Sequence, residues 1–256
     1  MAMRRALNTM LLIVGMVLLY YGLRIVAVDR FHIDSESMLP SFAPGDRIHV
    51  NKLLFGARIY RNLDFSGPCA PDCFRLPGWR SIRPGDVVVF NYPFGNDNYE
   101  KIEFRMNYVY CKRVLGTPGD TVAICDGRYR NLTHGVGVGD EAMQEMVAEL
   151  GEEYFRPEGT FHTIPIETQT WNVLSMGPLL VPARGKRVHL DNFARALYWR
   201  AIEYEGGNPY GTDYEFTQNW YFLVGDNAPQ SEDSRYFGFV PEKFIIGIVP
   251  QIESRE

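Results

Sequence analysis

Asn107-Tyr-Val-Tyr-Cys-Lys-Arg-Val-Leu115 runs directly into Gly116-Thr-Pro-Gly-Asp120 and on into Thr121-Val-Ala-Ile-Cys125. The outer segments are rich in aromatic and β-branched residues and the middle is turn chemistry, so the stretch predicts a strand, a tight turn and a returning strand. In that hairpin Leu115 faces Thr121 and Cys111 faces Cys125, with opposed Cβ atoms roughly 4.5–5.5 Å apart, long for a relaxed disulfide. Working outward, Asp46–Asn51 alternates after the turn Ala43-Pro-Gly45, and Gly85–Pro93 is an apolar strand bounded by prolines. Trp220–Val224 and Phe244–Val249 complete the set, and 24 glycines with 16 prolines punctuate it. The pattern predicts a mainly β, antiparallel fold.

Between about residues 127 and 215 the pattern changes. Asp140–Leu150 carries Ala142, Met143, Met146, Val147 and Leu150 on one helical stripe, and Asp191 is placed to cap a second helix through Tyr204 that buries Phe193, Leu197 and Ala201. An α/β lobe inserted into the β domain is expected there. The divisions read from the chain are 1–5 as a short terminus, 6–28 as a membrane anchor, 29–126 with 216–256 as the β domain, and 127–215 as the lobe.

The anchor rests on Met10-Leu-Leu-Ile-Val-Gly-Met-Val-Leu-Leu-Tyr-Tyr-Gly-Leu23, preceded by Arg4 and Arg5. From Ala6 to Val28, with Arg24 snorkelling, a helix at ~1.5 Å per residue reaches roughly 34 Å, enough for a ~30 Å hydrocarbon core. Val26-Ala27-Val28 is a poor small-x-small cleavage site and Tyr20-Tyr21 suit an interface, which favours a retained anchor over a cleaved leader. Arg4 and Arg5 place the amino terminus inside and the remainder outside, although Arg24 and Arg30 weaken the asymmetry. The formal charge of −5 offers no field for nucleic acid. Of the four cysteines, Cys69 and Cys73 share a Pro-rich loop in which they can form a small separate bridge, and neither Cys69/Cys73 nor Cys111/Cys125 has zinc-knuckle spacing. No metal or organic cofactor is implied.

Ser35-Glu-Ser-Met-Leu-Pro-Ser-Phe42 follows the anchor almost at once. A serine nucleophile needs a proton acceptor, but His32, His49, His134, His162 and His189 form no recognisable arrangement and no Gly-x-Ser-x-Gly elbow is present. A lysine whose ammonium form is disfavoured by burial can do that task. Lys112, sharing a strand face with Val114 while Arg113 points away, is the candidate; its alternative reading is half of a charged pair at a sheet edge.

Four stretches now resemble, in order, the boxes of bacterial type I signal peptidases: Ser35–Phe42, Gly85–Phe90, Tyr110-Cys-Lys-Arg-Val-Leu-Gly-Thr-Pro-Gly-Asp120 and Gly225-Asp-Asn-Ala-Pro-Gln-Ser-Glu-Asp-Ser-Arg-Tyr-Phe-Gly-Phe-Val240. The resemblance implies a two-sheet catalytic fold in a single-pass protein of the bacterial cytoplasmic membrane, its catalytic domain outside. It implies Ser37 as nucleophile, Lys112 as general base, Ser231 as a hydroxyl orienting the amine, and Ser35 with the Ser37 N–H as oxyanion hole. Arg113, Asp226, Asp233 and Arg235 match a supporting polar cluster, with Arg113 placed to pair with Asp226. Ile33, Met38, Phe42 and Tyr110 resemble the apolar walls of small substrate pockets. The implied partners are membrane lipid and secretory preproteins, cut after Ala-x-Ala-like sites. Glu36, Ser41 and Ala228-Pro-Gln230 depart from the usual residues, and Glu36 would raise the lysine pKa if it faced inward. Two rivals remain. A self-cleaving repressor would need a DNA-binding region, which is absent from the sequence pattern; a catalytically silent, membrane-anchored peptide-binding protein would be separated by its failure to hydrolyse a preprotein.

Overall fold

A strand has two hydrogen-bonding edges, and what fills them on either side of Gly116–Asp120 fixes the architecture. The structure is a computed structural model that describes residues 2–62, 72–95, 101–151, 171–172 and 174–250. It begins with α1 (Ala2–Val26), β1 (Val28–His32), β2 (Arg47–Asn51), α2 (Lys52–Phe55), β3 (Arg58–Tyr60), β4 (Cys73–Arg75), β5 (Val87–Asn91), β6 (Val109–Gly116) and β7 (Thr121–Cys125). There follow β8 (Arg128–Asn131), β9 (Val136–Gly137), α3 (Glu141–Leu150), β10 (Ser175–Leu180), β11 (Arg187–His189), α4 (Asn192–Tyr204) and β12 (Asp213–Glu215). The chain closes with β13 (Trp220–Val224), α5 (Ser234–Phe237), β14 (Val240–Pro241) and β15 (Ile245–Val249).

Among the described residues the main sheet has seven strands in the order β1-β2-β15-β5-β6-β13-β14, and a second has four in the order β10-β7-β8-β9. Two further sheets have two strands each, β11-β12 and β3-β4. The mainly β, antiparallel architecture is as the sequence leads one to expect. The hairpin is not. β6 pairs with β5 on one edge and β13 on the other, so no edge remains for β7, which pairs with β8 and β10 instead. At the crossing, a Cβ on Gly116 would lie 2.6 Å from Val122 and 2.7 Å from Val181, so only glycine lets the end of the first sheet meet the second this closely. Cys111 therefore lies opposite Val89 and Cys125 opposite Arg128 and Ser175, and neither thiol is bridged among the described residues. Cys111 and Cys125 thus lie in different sheets and not face to face, which leaves no bridge between them; Cys69, and with it the Cys69–Cys73 bridge, lies outside the described residues, as does His162.

One continuous core joins the faces of both sheets to α4, including Phe90, Val114, Leu115, Val122, Ile124, Leu179, Leu197, Ile202, Trp220 and Phe222. The second sheet takes in β7, and so begins ahead of the lobe expected over 127–215. A smaller cluster of Ile33, Met38, Ile48, Val50, Val87, Val89, Ile246 and Val249 lies between β1, β2, β5 and β15. α1 is long and apolar enough to cross a membrane, with mean hydropathy 2.0 and none of its apolar window buried. It ends at Val26, two residues short of the expected limit, because Val28 already pairs with Asn51 in β2.

Asp140 and Asp191 cap α3 and α4 by accepting the backbone N–H groups of Met143 and Ala194. The stripe expected on α3 is only partly buried. Met146 is 45% and Leu150 41% exposed, whereas the polar Gln144 is only 3% exposed. Its amide explains this, accepting from Tyr129 N at 2.8 Å and donating to Val138 O at 2.7 Å, and so completing two backbone groups inside the second sheet. Gln144→Ala is accordingly expected to cost about 1–3 kcal/mol in denaturant unfolding, against less than about 0.5 kcal/mol for Met146→Ala.

Candidate active site

Lys112 is on β6, the strand whose two edges are both taken. It lies opposite Val88, shares the core face with Val114, and is 3% exposed, which rules out the sheet-edge reading of Lys112-Arg113. Burial pushes its pKa below 10.5; the Asp233 charge opposes that shift and the Arg235 charge assists it. Its Nζ donates to Ser37 Oγ.

Ser37 sits in the 3-10 turn Glu36–Met38, entered from an extended Ser35 at φ −122°, ψ 159°. That turn aims Ser37 and Met38 inward and leaves Glu36 in water. The inward-facing carboxylate that would have acted on Lys112 is therefore not there, because the intervening position of the turn points outward. Ser35 Oγ lies 3.1 Å from Ser37 Oγ. None of the four described histidines bonds to Ser37: His134 is held by Asp120, His189 by Asp213, and His49 lies on β2, while His32 lines the adjoining cavity.

The loop from Gly225 to Arg235 encloses this turn. Asn227 N donates to Ser37 O at 3.1 Å and Asn227 Nδ2 to Glu36 O at 3.0 Å, so the serine turn is gripped by its backbone. Gly225 is what allows the approach, since a Cβ there would stand 2.1 Å from Ser231 Oγ and 2.5 Å from Ser37 O. Ser231 is 4% exposed beside this contact, and its Oγ makes no hydrogen bond in the described structure. It does not bond to the Lys112 amine.

Two ion pairs brace the loop. Arg113, turned away from Lys112, binds Asp226 through Nε at 2.6 Å and Nη2 at 2.5 Å, and also donates to Gly85 O and Ser41 Oγ. Asp233 accepts Gly225 N at 2.9 Å and Arg235 Nε at 2.8 Å, while Arg235 Nη2 also donates to Ala228 O. Asp226, Asp233 and Arg235 are each fully buried. Burial by itself would raise the Asp233 pKa, but the charge and hydrogen bonds of Arg235 outweigh it and hold the carboxyl below its ordinary value.

Ser37 and Lys112 open onto a groove of about 650 Å³ whose walls include Ile33, Met38 and Tyr110. Phe42, expected beside them, is not in the lining. It packs from outside on the small cluster around Ile33 and Met38, because Phe42 N bonds back to Met38 O and the chain has turned behind the wall. Cys111, Gln230 and Glu232 also line the groove, although no local signal marks them as wall residues; the Glu232 carboxylate is held by Tyr92 Oη at 2.5 Å. Burial pushes the Cys111 thiol up to about 12, so it meets the groove as a neutral group. Gly225 and Asn227 stood in the fourth box, but their importance lies in backbone proximity, which residue type does not announce.

Residues 6–252 match the signal peptidase family, peptidase S26. The chain belongs to this family. It is thus a peptidase, and relatives bear this out. It is 26% identical over 246 residues to signal peptidase I of Buchnera aphidicola subsp. Baizongia pistaciae, covering 91% of this chain and 71% of that one. It is 30% identical over 237 residues to signal peptidase I of Pseudomonas aeruginosa, covering 88% of this chain and 64% of that one. The chain thus spans slightly less than two thirds of the Pseudomonas protein. A solved signal peptidase I of Enterococcus faecalis V583 is 22% identical, over 66% of this chain and 97% of its own, at a TM-score of 0.32.

Gly225→Ala places a methyl group where Ser231 and the Ser37 carbonyl now stand. It is expected to cut turnover by about 100-fold or more and to lower stability by about 1–3 kcal/mol, read from kcat and from the denaturant midpoint. Unchanged kcat would show that this close approach is not needed.

Proposed function

We propose that the chain is a membrane-anchored serine endopeptidase that removes signal peptides from exported preproteins after Ala-x-Ala-like sites, with a Ser37/Lys112 dyad. The observation that carries this reading is the contact of a buried lysine amine with Ser37 Oγ in a groove walled in part by Ile33, Met38 and Tyr110. Neutral Lys112 takes the Ser37 proton as Oγ attacks the scissile carbonyl, and the ammonium so formed protonates the departing amine. Lys112 then activates a water that hydrolyses the acyl-enzyme. The Ser35 hydroxyl and the Ser37 N–H face the developing oxyanion. Ser231, a buried hydroxyl beside this contact, orients the amine while Lys112 keeps its hold on Ser37. Asp226 with Arg113, and Asp233 with Arg235, hold the loop that carries it.

Ile33, Met38 and Tyr110 restrict the groove to small side chains, which favours alanine beside the scissile bond. The site draws its residues from 29–126 and 216–256, with 127–215 as an insertion.

The test is incubation of the purified protein with a preprotein bearing Ala-x-Ala, followed by sequencing of the new amino terminus; intact preprotein would favour the silent binding protein. Ser37→Ala and Lys112→Ala should each abolish turnover, and the double variant should be scarcely worse than either, since paired catalytic groups are non-additive. Lys112→Arg should fail too, because a guanidinium stays protonated. Since burial lowers the Lys112 pKa and only the free amine accepts a proton, kcat/KM should rise with pH through an apparent pKa below 10.5. Near-normal Lys112→Ala activity would end the dyad assignment.

The orientation read from Arg4 and Arg5 puts residues beyond the anchor on the outer side of a bacterial cytoplasmic membrane. Protease added to spheroplasts should digest them. Protection until lysis would reverse the topology.

A further inference from the structure

The last carbonyls of an α-helix have no partners within it. At the end of α1 they are met by a residue from another element: Lys52 Nζ donates to Arg24 O at 2.7 Å and more weakly to Ile25 O at 3.4 Å. The Lys52 backbone N–H continues the pattern by donating to Ala27 O at 2.7 Å. A cation there also complements the negative end of the helix dipole. The same ammonium reaches Asp29 Oδ2 at 3.2 Å, while Arg24 Nε binds Asp29 Oδ1 at 3.0 Å. The exit of α1, the start of β1 and the start of α2 are thus tied in one knot, and the Lys52 side chain is only 12% exposed within it.

The knot is joined to the groove by two stiff routes. β1 runs from Val28 to His32 in register with β2 and leads straight into Ile33, Ser35 and Ser37. On the other side the Asn51–Lys52 backbone is pressed against β15, where a Cβ on Gly247 would lie 2.9 Å from Asn51 O and 3.2 Å from Lys52 Cα. β15 pairs with β5, and β5 with β6, which carries Lys112. Beside the knot, Trp79 N donates to Leu53 O and its indole is 76% exposed, the residue type and setting of an interfacial anchor.

We propose that Lys52 is a positioning residue: by seating the β domain on the end of the membrane helix, it fixes the height and orientation of the Ser37 groove above the bilayer. This rests on the peptidase reading above and concerns the preprotein still held in the same membrane. For that substrate the cleavage site and the groove are both tethered, so their encounter depends on matched geometry, as in any intramolecular reaction. A free peptide carries no such constraint and is indifferent to the knot.

The experiment uses the full chain in phospholipid vesicles and two substrates with the same cleavage site, a preprotein inserted in those vesicles and a soluble peptide. Lys52→Met should lower kcat/KM on the inserted preprotein by about 10-fold and leave the peptide within about twofold of wild type. Lys52→Arg, which keeps the charge and the donors, should retain most of the activity on the inserted preprotein. Equal losses on both substrates would reduce Lys52 to a stabilising contact, and no loss on either would make the knot idle; both outcomes overturn the proposal. Wild-type protein inert on both substrates would instead overturn the peptidase reading beneath it.

Discussion

An ammonium ion is costly to take out of water, and β6 takes Lys112 out of water by running between two other strands with the side chain turned into the core. The cost falls on the charged form, so burial favours the free amine, and the surroundings must not reverse that preference. Asp233 is the main charge working against it, but its oxygens are occupied by Arg235 and the Gly225 N–H. Arg235 itself pushes Lys112 back towards neutrality. Asp226, equally buried, is neutralised by Arg113 from the opposite face of the same strand. The polar cluster thus does two things at once: it braces the loop over Ser37 and keeps bare carboxylates away from the amine.

This arrangement is unfavourable in several places. Ser231 Oγ and Arg235 Nη1 are buried without hydrogen bonds, and Gly225 stands where any side chain would collide. Such groups each destabilise the fold, and they persist because the sheet around them is over-determined. Trp220, Phe222, Leu223 and Val224 on β13, with Val87–Phe90 on β5, are all essentially inaccessible on either side of the site. An apolar core of that extent tolerates a few unsatisfied polar atoms, two of them beside the site.

The same rigidity reaches the apolar helix α1. Only one residue separates α1 from β1, and the groove wall begins within β1, at Phe31. A flexible linker would have left the groove free to wander relative to α1. Paired strands and a capped helix end restrain it instead.

Much of this was legible in the residues themselves. Membrane length, strand runs and the capping aspartates Asp140 and Asp191 are local properties, because hydropathy, alternation and cap chemistry act between neighbours in sequence. The order of the boxes around Ser37, Lys112 and Ser231 led to the family for the same reason, since each box is a short contiguous stretch. Strand pairing is not local. Gly116–Asp120 looks like a hairpin turn, yet β6 had both edges filled by β5 and β13, from positions about 25 residues before and 110 after it, and no feature of the turn records that competition. The outward aim of Glu36, the withdrawal of Phe42 from the groove and the grip of Gly225 and Asn227 on the serine turn belong with it. Each is settled by which backbone approaches which, and a distance between remote segments exists only once the chain has folded.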